Sequence, residues 1–169
     1  MANLSTLTQI PENTSFLQSA KFIFTIPSLP FARYFCQSVN FPGVSANEVL
    51  VSTPFADTYR HGDNLVFEPL TIDFLIDEDL RVWEETYIWL ATLTNPIKFK
   101  EYGSKFKDKY YDGILTINTN ANIPNLRVHF RYCHPVNIGA IQFDSRVSAE
   151  TTPTCTLTLR YDTFKIERL

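Results

Sequence analysis

Few residues in this chain could do chemistry, and their spacing assembles no reactive site. Cys36, Cys133 and Cys155 are far apart, odd in number and lack a CxxC pair. They suggest neither a disulfide scaffold nor a zinc site, and read as reduced, partly buried thiols. His61, His129 and His134 show no HxH or HExxH spacing, so no metal site is expected. Cys133 and His134 are adjacent, and on a strand they point to opposite faces. GxSxG and glycine-rich phosphate loops are missing, and the chain has only 5 Gly, which leaves no acyl-transfer or nucleotide motif. With no nucleophile, base and orienting group to combine, an enzyme is the least favoured class and no cofactor is expected.

Two charged runs remain. Asp77-Glu78-Asp79, with Glu84 and Glu85 beyond, could bind a cation or move protons. The plainer reading is a helix start, where the dipole favours anions, followed by a solvated face. The stretch IKFKEYGSKFKDKYYDG at 97–113 places Lys98, Lys100, Lys105, Lys107 and Lys109 among aromatic rings, as nucleic-acid backbone contact and base stacking require. Glu101, Asp108 and Asp112 dilute it, and the formal net charge is -3. A loop touching a neighbouring subunit is therefore preferred over a nucleic-acid footprint.

The elements that must carry these residues are mostly strands. A chain of 169 residues with 44% hydrophobic and 14% aromatic content suits one packed domain and excludes a disordered one. No signal peptide or span of about 20 apolar residues is visible, so synthesis and assembly in a cytoplasm are expected. Residues 1–20 read as a flexible polar arm, and 21–169 as a single domain with an irregular excursion at 97–113. KFIFTI, RYFCQSVNF and NEVLVS are strand patterns, and His61-Gly62-Asp63-Asn64 is turn chemistry. From Leu70 to Ile76 apolar residues alternate with Thr71 and Asp73, giving one buried and one polar face. ILTINT, LRVHFRY and IGAIQF follow. In the last strand Cys155, Leu157, Leu159 and Tyr161 oppose Thr154, Thr156, Thr158 and Arg160. The pattern slips by one after Asp162, as a bulge or strand end would produce.

One helix interrupts the strands, at about 78–94, with Asp77 as its cap. Leu80, Trp83, Tyr87, Leu90 and Ala91 form its core stripe. Trp89, Val82, Thr86 and Leu93 form a second apolar stripe, which a small domain would share with another copy. Trp89, Val82 and Leu93 are thus subunit-interface candidates, together with the five lysines. The fold class is mainly β: seven to nine strands around one flanking α-helix, as a β-sandwich or barrel.

An ordered series of features resembles the tail tube family of contractile-tailed phages. They are Phe41-Pro42-Gly43, the Gly62-Asp63 pair, the strand Phe67 to Phe74, and the acidic cap and aromatic helix from Asp77 to Trp89. Pro135-Val136-Asn137-Ile138-Gly139, Phe143-Asp144 and the threonine-rich end near Tyr161-Asp162 complete the series, which covers about 21–164. The resemblance implies two packed antiparallel sheets forming a barrel, in hexameric rings that stack into a tube. It also implies sheath, baseplate or neck proteins as partners, residence in the virion tail, and passage of DNA through a polar lumen. Baseplate tube initiators share the resemblance and remain an alternative. Thr71, Asp73, Thr154, Thr156 and Thr158 are the lumen-lining candidates, because a hydroxyl- and acid-bearing wall would not retain phosphates. Two rivals of other classes stay open, a nucleic-acid-binding barrel using the 97–113 loop and a small-ligand carrier with an apolar pocket.

Overall fold

The computed structural model describes residues 14–94, 110–144, 146 and 152–169. Most of the proposed arm and all five excursion lysines lie outside them. The elements run β1 (Phe22–Thr25), α1 (Ala32–Phe35), β2 (Cys36–Asn40), β3 (Val44–Ser52), β4 (Asp57–Phe67), β5 (Leu70–Leu75), α2 (Arg81–Thr94), β6 (Tyr111–Asn118), β7 (Pro124–Ile138), β8 (Thr154–Arg160) and β9 (Thr163–Arg168).

Every strand pairing is antiparallel. One sheet has the order β1-β6-β7-β9, and a second the order β7-β8-β5-β2. The 15-residue β7 belongs to both. Its first half pairs with β6 and β9, and its last residues, His134 to Ile138, pair with β8. The change of sheet occurs at Tyr132, whose backbone is left-handed at φ 56°. Two bonds hold this corner: Tyr132 N–H donates to Asp112 Oδ1 at 3.0 Å, and Asp162 N–H donates to the Arg131 carbonyl. The sheets enclose Phe24, Leu115, Val128 and Phe130 on one side and Leu70, Ile72, Phe74, Leu157 and Leu159 on the other, all buried. The expected mainly-β class with two antiparallel sheets holds. The architecture is sandwich-like and not a closed barrel.

Where elements differ from expectation, one local signal served two geometries. His61-Gly62-Asp63-Asn64 is not a turn but the middle of β4, where residues 62–64 bulge against the single residue Asn47 of β3. A Cβ at Gly62 would lie 2.6 Å from the Asn47 carbonyl oxygen, so this glycine answers a close backbone approach. The reversal falls at Thr53–Ala56 instead, around Pro54. RYF, expected in a strand, is the short second helix α1, and IGAIQF is not a strand, because β7 ends at Ile138. The slip after Asp162 marks a change of sheet, with β8 in one and β9 in the other.

α2 begins at Arg81, later than expected, because Leu80 is left-handed at φ 57°. Asp77 does cap it: its carboxylate accepts from Arg81 N–H at 3.1 Å and Val82 N–H at 3.4 Å. The two apolar stripes exchange roles. Val82, Thr86 and Trp89 face the core, whereas Trp83 is half-buried and Tyr87 is exposed. Both stripes satisfy helical spacing, so periodicity alone could not choose between them. Thr86 enters the core because its hydroxyl donates to the Val82 carbonyl at 2.7 Å.

Candidate assembly surface

The lumen-lining candidates come together on one face of the second sheet. Thr71 stands opposite Thr158, Asp73 opposite Thr156, and Leu75 opposite Thr154. Flanking strands extend these rows, with Asn40 beside Thr71, Ser38 beside Asp73 and Asn137 beside Thr158. Asp73 ties three strands together: its Oδ1 accepts from the Thr156 hydroxyl and its Oδ2 from the Ser38 hydroxyl, both at 2.6 Å. Ile72, Phe74, Leu157 and Leu159 alternate with these residues and fill the core. The pleat thus gives a four-stranded wall, apolar behind and amide- and hydroxyl-bearing in front. Among the described residues, β2 pairs only with β5, and the His134–Ile138 part of β7 only with β8. Both edges of the wall are therefore open. Arg160, on the same face of β8, weakens the wall's neutral character and donates from Nη1 to the Phe67 carbonyl at 3.1 Å.

A second exposed feature is the ribbon of β3 and β4, which among the described residues pair with each other alone. Val49, Leu50, Leu65 and Val66 are exposed along it, Tyr59 is 66% exposed, and Phe55 at its tip is 100% exposed. Leu50 and Tyr59 face each other in register, whereas Val49 pairs with Arg60, so apolar groups stand on both faces. Its root is firm. Glu68 N–H donates to the Gly43 carbonyl, Tyr161 O–H to the Glu68 carbonyl, and the Phe67 ring meets Tyr161 and Phe164. A bare two-stranded ribbon is marginal in water. Sequence reading marked NEVLVS as a strand and did not see the surface these apolar positions make. It also missed Ser38, Asn40 and Asn137, whose strand partners could not be known without the register.

The expected interface residues on α2 do not point outward. Val82 is fully buried and Trp89 is 6% exposed, both in the chain's own core, with Leu93 packed against it. Tyr87 and Ile88 face outward instead, 48% and 54% exposed, and the Tyr87 ring stacks on Trp83 at 5.5 Å. Lys98, Lys100, Lys105, Lys107 and Lys109 lie outside the described residues.

Among the described residues no reactive centre is assembled. Burial pushes the Cys133 thiol up to about 12 and the Cys36 thiol up to about 11, the Asp73 charge adding to the latter; such thiols are inert at neutral pH. His129 Nε2 lies 3.2 Å from Glu167 Oε2, while His134 packs edge-on against Tyr110. Among the described residues no three metal-ligating side chains cluster, and no helix is long and apolar enough to cross a membrane.

Comparison with known proteins gives this surface its context. The family described as phage tail tube protein matches residues 9–167. The tail tube terminator protein of Enterobacteria phage T4 is 23% identical over 156 residues, covering 89% of this chain and 88% of that protein. Among solved structures, the tube-terminating cap of the anti-feeding prophage superposes with a TM-score of 0.66 at 14% identity, over 100% of both chains. The sheath–tube complex of an extracellular contractile injection system does so with a TM-score of 0.61 at 10% identity, over 100% of this chain and 99% of that one. At these identities the structures show a shared fold. The chain belongs to the phage tail tube protein family, and is a structural, non-enzymatic component of a phage tail.

Proposed function

We propose that this chain forms a hexameric ring that closes the end of a contractile tail tube and lets DNA pass through its centre. The observation that carries the ring is the four-stranded wall with one polar face and two open edges. Open edges invite pairing with other chains, and head-to-tail pairing of the β2 edge of one copy with the β7 edge of the next removes both at once. Closing in this way puts Thr71, Asp73, Thr154, Thr156 and Thr158 inside. Such a wall offers hydroxyls and a carboxylate to the passing duplex and no dense row of cations to hold its phosphates. The β3–β4 ribbon then lies on a neighbouring copy, which covers its exposed apolar groups, while Tyr87 and Ile88 on α2 remain for contact with sheath, neck or baseplate proteins.

The terminal position is supported by the relationship to the T4 terminator along nearly the whole chain. The family description favours a second reading, a subunit repeated along the tube. Copy number separates the two. Quantitative mass spectrometry of purified virions should find this chain at the level of a single ring, far below the major tube protein, with antibody label at one end of the tube. Abundance matching the major tube protein would make it the repeated subunit. A strictly monomeric chain at high concentration, with no ring in negative stain, would refute the ring itself.

A further inference from the structure

A small cleft lies beside the β6–β7 turn. It encloses about 260 Å³ and is lined by Phe16 and Leu17 on one side and by Asn118, Asn125 and Leu126 on the other. None of the lining residues is ionisable. Asn118 is 6% exposed, so more than nine-tenths of it is buried. Its Nδ2 donates to Asn122 Oδ1 at 3.0 Å and its backbone N–H to the Lys21 carbonyl, yet its Oδ1 has no hydrogen-bond partner among the described residues. A buried amide oxygen left without a donor costs about 1–3 kcal/mol. The rim is equally incomplete: Phe16 is 91% exposed and Leu17 is also exposed.

We infer that the cleft binds the N-terminal segment, residues 1–13, of a neighbouring copy, so that adjacent subunits exchange arms. The occupant must offer apolar side chains to Phe16, Leu17 and Leu126, and it should bring little charge. MANLSTLTQIPEN meets both needs, with Leu4, Leu7 and Ile10 spaced along it and Glu12 as its one charged side chain. The Lys-rich stretch 97–109 meets none of the charge requirement. Exchange is favoured over a return to the same cleft because the segment's own root forms one wall. Pro11 biases Ile10 toward extended backbone and so carries the chain onward. Thirteen extended residues reach about 40 Å, enough to arrive at an adjacent subunit. This inference rests on the ring reading above, since it needs a neighbour.

The test uses the full-length chain with a photo-crosslinking benzoylphenylalanine at Leu7, prepared in unlabelled and ¹⁵N-labelled forms and mixed in equal amounts before assembly. After irradiation, mass spectrometry should find Leu7-position peptides joined to the 118–126 region, with about half of them carrying one label on each partner, as random mixing in a ring requires. Links confined to a single label would show that the segment folds back on its own chain, and links elsewhere or none would also overturn the inference. Negative stain of the same samples separates the two ideas: rings without mixed-label links leave the ring and remove the exchange. A second variant, Asn118→Leu, fills the cleft with an apolar group; it should reduce mixed-label links at least fivefold while the chain keeps its melting temperature.

Discussion

Replacing Asp73 with alanine is expected to destabilise the isolated subunit by about 2 kcal/mol, through the loss of two short hydrogen bonds that join β2, β5 and β8. A hydrogen bond to a charged group contributes about 1.5–3 kcal/mol when its partners are shielded. Here Ser38 is exposed and Thr156 half-buried, so water replaces part of each bond and the two together fall near the lower figure. For a chain of this size that corresponds to a fall in Tm of roughly 4–8 °C. Asp73→Asn keeps the shape and one acceptor, and should cost about half as much. The measurement is urea unfolding followed by tryptophan fluorescence at concentrations where the chain is monomeric, with the slope in denaturant unchanged. A double-mutant cycle with Ser38→Ala should show a coupling of about 1 kcal/mol. If Asp73→Ala costs no more than Thr71→Ala on the same face, the carboxylate does not tie the strands together and the account of the wall is wrong.

Three further outcomes follow from the packing. Trp89→Ala should cost about 3–5 kcal/mol, whereas Tyr87→Ala should cost under about 1 and weaken only contacts with partners; equal losses in thermal unfolding would refute the helix orientation. Replacing residues 47–62 with a short turn should leave the subunit's unfolding transition intact but prevent rings from associating, as read by calorimetry and microscopy; a chain that unfolds on truncation would show that the ribbon belongs to the core. Burial raises the Cys133 pKa above its ordinary 9.0 to about 12, so the folded state holds that proton where the unfolded state releases it. Stability from this group is complete below about pH 9 and is lost between about 9 and 12, by up to roughly 1.4 kcal/mol per pH unit. Cys133→Ser, isosteric but with a hydroxyl that does not titrate there, should flatten that alkaline slope in urea unfolding.

The sheet strands that carry the wall were legible because alternation reports burial directly. Leu70 to Leu75 and Thr154 to Arg160 have one fully buried face, so their polar residues had only one place to go. Alternation says nothing about what lies across the strand, which is why Ser38, Asn40 and Asn137 emerged only with the register. The β3–β4 ribbon was misread for a related reason. Its valines and aromatics have ordinary strand propensity, and propensity does not distinguish a face covered by the same chain from one that another copy must cover. Gly62 sent a turn signal when it was answering a close approach to Asn47. On α2, Val82-Thr86-Trp89-Leu93 and Leu80-Trp83-Tyr87-Leu90 were equally periodic, and the choice between them came from Leu80, whose left-handed backbone sets the start and hence the rotation of the helix.

The bend at Tyr132 has a mechanical consequence. Because a single uninterrupted polypeptide crosses from one layer of the sandwich to the other, tension applied to either layer is carried into its companion by covalent bonds as well as by side-chain contact. Neither layer can peel away while the other stays folded, so the subunit should yield as one cooperative unit. A subunit built in this way is braced from within, and the brace is the backbone itself.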